Sequence, residues 1–396
     1  MYNLSKPQMA IYEMDRFAGG SIANVCGDII FNEKANFIRL KNAIRSIIRE
    51  YNTLHTKILL HHGTPMQEYM VYADIDVEYL CFNTMADYTA WANEKAKEPI
   101  DIFSRLHAFT AISIGDDKCG IFAMYHHILG DAWSMGIIGN KLYEYFKNGE
   151  ILDVIYPYTD YLIKDTEYQK SDKYIKDKNY WLNVYENNCE VSYLCEKQSK
   201  TNAANRKSIT LSKEQATKIK KYCKQNGISE FCLFMTAFST YFYRITGKNN
   251  FYIGTPVLNR TGAKEKNTIG TFINTIPLSV KIDDNYTFID LCKNISTNAY
   301  TGFKHQKFLY SDLLKTLRTE KNHTEALFDV ILSYQNMKFE NDASLNWYSC
   351  GMQTESLQIH IDDRNNTGLL NIDYDYQTEK FTQAEIEKMH EHILNI

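Results

Sequence analysis

The sequence predicts an α/β protein built as two lobes, and three observations predict it. Its 396 residues exceed what one ordinary core accommodates, since about 150 residues per domain is usual. Apolar runs of strand type alternate with stretches of helical period along the chain. The second half repeats the strand and helix layout of the first without repeating its sequence. The expected division is a first lobe over 1–165 and a second over 166–396.

Each element has its own signal. Ser5-Lys6-Pro7 opens a short helix, with proline in the first turn, where its missing N–H costs nothing. Ile22 to Phe31 reads as a strand, and Lys34 to Tyr51 as an amphipathic helix with Phe37, Leu40, Ala43, Ile44, Ile47 and Ile48 on one side. Strands follow at Lys57 to Leu60 and Met66 to Val71, with His61-His62 before Gly63 in an exposed turn, and then a helix over Met85 to Lys97. The apolar run Cys119 to Tyr125, rich in strand-forming residues, completes the strands read in the lobe. After it Trp133, Ile137, Ile138, Leu142, Tyr145 and Phe146 recur near helical spacing, and Gly149 closes that helix.

A charged helix from Lys164 to Tyr180 leads onward, and the polar stretch from Asn187 to Arg206 reads as a mobile connection. Lys207 to Leu211 is a strand, Ser212-Lys213-Glu214-Gln215 a helix start, Ser229 to Thr246 a buried helix, and Phe251 to Pro256 a buried strand. Ser356 to Asp362 and Leu369 to Tyr376 alternate around Arg364-Asn365-Asn366-Thr367-Gly368 as a hairpin. Thr382-Gln383-Ala384-Glu385 opens the last helix as a capping box.

Composition excludes several function classes. A net charge of −4 with no basic stripe leaves no nucleic-acid footprint. No run approaches 18 apolar residues, so no membrane span is expected, and no basic-then-apolar leader opens the chain. Nine cysteines without a CxxC pair read as reduced thiols in a cytoplasmic protein, and no Cys/His cluster has metal-ligand spacing.

The chemistry concentrates in His126-His127-Ile128-Leu129-Gly130-Asp131-Ala132, where a strand turns into a helix. Consecutive residues of an extended segment face opposite ways, so one histidine acts and its neighbour supports. An imidazole near its unperturbed pKa of about 6.5 is partly neutral and accepts a proton or a hydrogen bond from an incoming nucleophile. Asp131 either pairs with a distant arginine or caps the helix that begins at Ala132.

That heptapeptide resembles the HHxxxDG signature of nonribosomal peptide synthetase condensation domains and their chloramphenicol-acetyltransferase-like relatives, with Ala132 replacing the last glycine. Companion segments resemble the same family. Glu50 to Thr56 is similar to RHExLRT, with His55 in place of the second arginine, and Pro99 to Phe103 is similar to its PFDL element. Tyr158-Thr159-Asp160-Tyr161 resembles the exit of the first lobe. Gly254 to Arg260 resembles GxPVxxR, and Ile269 to Leu278 resembles IGxFVNT. His305 to Leu313 is similar to the HQ segment without its Pro and Glu, and Leu327 to Asn336 resembles a strand ending in Gln-Asn.

The resemblance implies two chloramphenicol-acetyltransferase-like lobes in a V-shaped pseudo-dimer around a central channel, with a segment near 254–280 crossing over. It implies that His127 is catalytic, with His126, Asp131 and Arg260 in support and Arg260 the ion-pair partner of Asp131. Gly130, Trp133, Ser134, Asn274 and Gln335 are the expected channel residues. The implied reaction is amide formation between a donor acyl, aminoacyl or peptidyl thioester and the amine of an acceptor aminoacyl thioester. Both ride on phosphopantetheine arms of donor and acceptor peptidyl carrier proteins, an adenylation domain is a possible neighbour, and neither a bound cofactor nor a metal is needed.

The histidine pair argues against the heterocyclising branch, and Trp133-Ser134-Met135 with Gln335-Asn336 leans away from epimerisation. Without carrier or adenylation motifs, the chain reads as free-standing or as a segment of a longer synthetase. Two other readings follow from the same residues. One is a stand-alone O- or N-acyltransferase; the other, resting on His55 and Ala132, is a degenerate module that only docks carriers.

Overall fold

The computed structural model describes residues 1–149, 154–186, 191–339 and 341–396. The first half runs β1 (Tyr2–Asn3), α1 (Lys6–Ala18), β2 (Asn24–Phe31), α2 (Phe37–Glu50), β3 (Thr56–His61), β4 (Thr64–Tyr69), β5 (Glu78–Phe82), α3 (Met85–Lys95), β6 (His107–Ile114), β7 (Lys118–His126), α4 (Ala132–Asn148) and α5 (Thr159–Gln169). The chain continues with α6 (Asp172–Glu186), β8 (Ala204–Leu211), α7 (Lys213–Asn226), α8 (Glu230–Thr246), β9 (Asn250–Val257), α9 (Ala263–Lys266), β10 (Asn274–Lys281), α10 (Phe288–Lys304) and α11 (Tyr310–Glu320). The last elements are β11 (Val330–Gln335), β12 (Ala343–Tyr348), β13 (Leu357–Asp362), β14 (Leu370–Gln377) and α12 (Gln383–Leu394).

The chain divides into two compact units, each of mixed α/β structure, but not at a single cut near 165. Met1–Gln169 is joined by Arg260–Phe272 and Met337–Met352, while Lys170–Asn259, Ile273–Asn336 and Gln353–Ile396 form the second unit. The first returning segment lies within the crossover expected near 254–280, the second is not expected from the sequence, and each has an identifiable reason. The first carries the arginine that pairs with Asp131. The second carries β12, which pairs antiparallel with β2.

In the first unit a five-stranded sheet has the order β12-β2-β7-β6-β5, antiparallel except for β5 beside β6. The continuous apolar run of β7 follows from burial on both faces. Ile121, Ala123 and Tyr125 join the core that holds Leu40, Ile44 and Ile47 of α2 and Ile138 and Leu142 of α4. Phe122 and Met124 face Tyr88 and Ala92 of α3. A strand clamped in this way delivers the loop after His126 from a rigid base.

The second unit has a six-stranded sheet, β10-β9-β11-β13-β14-β8, with β11 parallel to both β9 and β13. Phe234, Phe238 and Phe242 of α8 and Ile295 of α10 pack with Ile253, Leu332, Ile359 and Ile372. Capping boxes open α1 at Ser5 and Gln8, α7 at Ser212 and Gln215, and α12 at Thr382 and Glu385, as their sequences require. Gly149, at φ +84°, ends α4.

Two expectations differ from the structure, and some elements are not expected from the sequence. The helix read from Lys164 to Tyr180 is two helices, because Ser171 breaks the run and starts α6, its hydroxyl and carbonyl both accepting the Tyr174 amide. Of the connection from 187 to 206, residues 187–190 lie outside the described residues, and β8 begins at Ala204. Strands β5 and β12 and helix α10 are not among the elements expected from the sequence, although α10 carries a capping box at Thr287 and Asp290. Strand β12 is decided by a partner more than three hundred residues away, which local period does not encode.

Asp28 on β2 is a buried carboxylate inside this fold. Tyr88 donates to it at 2.6 Å, Asn346 donates at 2.8 Å, and Tyr348 also donates. Burial pushes its pKa up to about 6 against the opposing phenol and amide hydrogen bonds. Since the folded value is raised above that of the unfolded chain, this group's stabilising contribution is full below pH 3.8 and is lost as pH rises through about 6. The loss between about pH 3 and neutral solution is on the order of 3 kcal/mol, and Asp28→Asn is expected to flatten it. Urea denaturation at several pH values measures this; equal slopes against pH in the two proteins would contradict the assignment.

Candidate active site

The loop after β7 begins with a buried histidine. His126 is 1% exposed, and its Nδ1 accepts the Ile128 amide at 3.1 Å. In the neutral ring the proton therefore sits on Nε2, which lies 3.6 Å from Asp15 Oδ1 on α1. Backbone pairing fixes both histidines: His126 N–H donates to the Leu106 carbonyl at 2.8 Å and His127 N–H to the Ala23 carbonyl at 2.6 Å. His126 is thus turned into the protein.

His127 is half-buried, and its Nδ1 is enclosed without a hydrogen-bond partner among the described residues. Burial lowers its pKa from the usual 6.5, opposed by the loop backbone and by the Asp131 charge. The ring is consequently neutral at pH 7 and able to accept a proton.

Both alternatives for Asp131 hold together. Its Oδ1 accepts the Ser134 amide at 2.9 Å, capping α4, and also accepts from the Arg260 guanidinium at 2.9 Å. Its Oδ2 accepts the Phe272 amide at 3.1 Å. The Asp131 and Arg260 side chains are 1% and 0% exposed, so the pair is fully desolvated and depends on further hydrogen bonds. Arg260 supplies them, donating to the Gly270 carbonyl at 3.0 Å, the Ser134 hydroxyl at 2.9 Å and the carbonyls of Glu265 and Thr268, with Phe272 stacked 4.0 Å beneath it.

The segment around Arg260 also reaches the histidine directly. The Thr271 hydroxyl donates to the His127 carbonyl, and the Thr271 carbonyl accepts from the buried Tyr158 hydroxyl, which bonds Ser5 at 2.8 Å. From the other side the Gln8 amide donates to the Ile128 carbonyl at 3.1 Å. Thr271 and Tyr158 stand within segments that resemble the family and Gln8 in the first turn of α1, but nothing local marks them as braces. Only the approach of distant backbone carbonyls reveals that role.

The expected channel residues separate into different environments. Ser134 is fully buried, and its hydroxyl is consumed by Asp131, Arg260 and Gly270, so it braces the loop and has nothing left for a substrate. Trp133 is half-buried, with its indole N–H on the Lys266 carbonyl at 2.8 Å. Gly130 is buried, and a Cβ there would stand 2.8 Å from Ser134 Cβ. Gly130→Ala is therefore expected to push Ser134 off its partners and to cost about 1–3 kcal/mol of stability, measurable by urea denaturation. A stability within error of wild type would count against this packing.

Asn274 and Gln335 belong to the second unit. The Asn274 side chain donates to the Gln306 and Phe308 carbonyls and accepts the Tyr310 amide, so its polar atoms are spent within that unit. Gln335 ends β11, half-buried.

Neither departure from the motif touches this arrangement. Ala132 is the first residue of α4, where any L-residue fits the backbone, and His55 packs against Tyr72 with no share in the pair between Asp131 and Arg260. Among the described residues no group of three or more His, Cys, Asp or Glu could hold a metal ion. No described helix is long and apolar enough to cross a membrane.

Comparison with known proteins places these features in context. The family model described as the condensation domain matches residues 1–396. The chain is 28% identical to surfactin synthase subunit 1 of Bacillus subtilis (strain 168), over 100% of this chain but 12% of that protein. It is 23% identical to bacitracin synthase 3 of Bacillus licheniformis, over 100% of this chain and 6% of that protein. The chain thus spans a small fraction of the length of these relatives. Among solved structures, the first condensation domain of the calcium-dependent antibiotic synthetase superposes with a TM-score of 0.89 at 16% identity, covering 100% of this chain and 94% of that one. The starter condensation domain of rhizomide synthetase superposes at 0.87 and 18% identity, covering 100% and 93%.

Proposed function

This chain belongs to the condensation-domain family, and from that premise we propose that it joins a carrier-bound acyl, aminoacyl or peptidyl thioester to the amine of a carrier-bound aminoacyl thioester. The observation that carries the reading is His127: a neutral imidazole at the end of a clamped strand, in a loop locked by a desolvated ion pair. In this mechanism the acceptor amine attacks the thioester carbonyl and the C–N bond forms. His127 takes the proton released from nitrogen. The tetrahedral intermediate then expels the donor arm as thiolate, which receives that proton as the C–S bond breaks. Orientation of two tethered reactants supplies much of the remaining acceleration, and carrier proteins are the partners this chemistry requires.

Thr271 acts through the position of His127. Thr271→Val removes the hydroxyl that holds the His127 carbonyl. It is expected to lower kcat by about 2- to 10-fold, the worth of one hydrogen bond, while Thr271→Ser retains activity. Equal kcat for the valine variant and wild type would remove Thr271 from the set of positioning residues.

The direct test loads a donor and an acceptor on separate carrier proteins and follows the acceptor-bound product by mass spectrometry. The expected result is a condensed thioester on the acceptor carrier and none when the same donor is offered only as a coenzyme A thioester. Product from coenzyme A alone would favour a stand-alone acyltransferase, and no product from any loaded pair would overturn the reading.

A further inference from the structure

A cavity of about 400 Å³ lies in the first unit, lined among others by His55, Lys57, Met70, Phe103, Arg105 and His107. Its charged lining is of one sign. Arg105 and Lys57 make no ion pair or side-chain hydrogen bond among the described residues, and no Asp or Glu lines the cavity. The acidic residues nearest along the chain, Glu68 opposite Lys57 on the β3–β4 hairpin and Asp101 in the turn that accepts the Phe103 amide, stand outside the lining. The Arg105 side chain reaches solvent, yet enough of it is enclosed that burial lowers its pKa.

The imidazoles provide an independent sign of a missing partner. His107 is 7% exposed, and its Nε2 lies 3.0 Å from the Leu54 carbonyl, so Nε2 carries the proton. Its Nδ1 is buried without a partner, as is Nε2 of His55. Burial, followed by the Arg105 charge, pushes His107 down to about 3, which leaves it neutral in the empty cavity. A buried polar atom without a hydrogen bond is costly, and so is a partly desolvated guanidinium without a counter-ion. An oxyanion meets the guanidinium directly, and it meets His107 Nδ1 once that nitrogen takes up a proton, which the anion's charge and the neutralised Arg105 both favour.

We propose that this cavity binds a small tetrahedral oxyanion of the phosphate or sulfate type, gripped by the Arg105 fork and Lys57 and closed by the imidazoles of His55 and His107. A tetrahedral oxyanion presents acceptor oxygens in every direction, which suits donors carried by two strands, a loop and the 3-10 turn Asn52–His55 better than a planar carboxylate does. Because a lone pair on His107 Nδ1 repels an anion, binding draws a proton onto that nitrogen, and affinity rises as pH falls.

Sulfate is the probe, since it stays a dianion throughout the range in which histidines titrate. Titration of the whole chain, followed through the histidine ring signals by NMR, is expected to shift His107 and His55 saturably at millimolar sulfate, where chloride does not. Affinity should increase from about pH 8 to about pH 6. Arg105→Gln, which removes no ion pair of the fold, is expected to weaken binding by about tenfold or more, and Lys57→Gln by a smaller factor. Undisturbed His107 and His55 signals would overturn the proposal, as would equal binding by wild type and Arg105→Gln, or an affinity that grows with pH.

Discussion

His127→Ala is expected to lower the rate of carrier-to-carrier condensation by about 10²- to 10⁴-fold, the usual worth of a positioned general base. The loss should fall on kcat, because the ring is asked to work in the transition state rather than to hold either carrier. Stability should change little: the ring is half-buried, and the loop is held through the His127 amide and carbonyl, which the substitution leaves in place. The pH profile separates this role from a structural one. Burial disfavours the imidazolium, so the base stays neutral to lower pH than a free histidine and the acid limb of kcat/KM should lie below 6.5. An acid limb at or above that value that disappears in His127→Ala, and so is not that of the acceptor ammonium, or equal product yields from variant and wild type, would sink the assignment.

Arg260→Met carries the second large effect. It leaves the Asp131 carboxylate buried without its charge partner and frees the carbonyls of Glu265, Thr268 and Gly270 at once. Removing one member of such a pair costs about 3–5 kcal/mol. Arg260→Lys should recover little, because one ammonium does not reproduce a planar fork serving acceptors on several sides. Pairing Arg260→Met with Asp131→Asn should cost clearly less than the sum of the two single changes, since the neutral amide no longer needs the cation. Urea denaturation, with native-state hydrogen exchange reporting on the amides of α4, measures all three. Additive losses would mean that the pair is not coupled. Activity should fall as well, through the loosened Thr271 and the carbonyl it holds.

Much of this protein is legible residue by residue. The strand run before His126, the helical period after Ala132, the caps at Ser5, Ser212, Ser229 and Thr382, and the hairpin around Gly368 are local physics, and the structure follows them. The resemblance names His127, Asp131 and Arg260 and the pairing of the last two, which the structure shows at 2.9 Å. What fails to read are features decided by partners. Ser134 looks like a channel residue because its neighbours are conspicuous in the motif, yet its hydroxyl is spent on a carbonyl 136 residues away.

Sequence alone determined most of the elements, the α/β class and the loop that carries the histidine pair, because propensity, capping and period act over a few residues. Only the tertiary structure decided that residues 337–352 return to the first unit, that Asp131 is cap and ion-pair partner at once, and that Thr271 and Gln8 brace the loop. The reason is physical. A buried hydrogen bond or ion pair is satisfied by whichever group the fold brings within about 3 Å, and chain separation leaves no mark of that approach in local sequence.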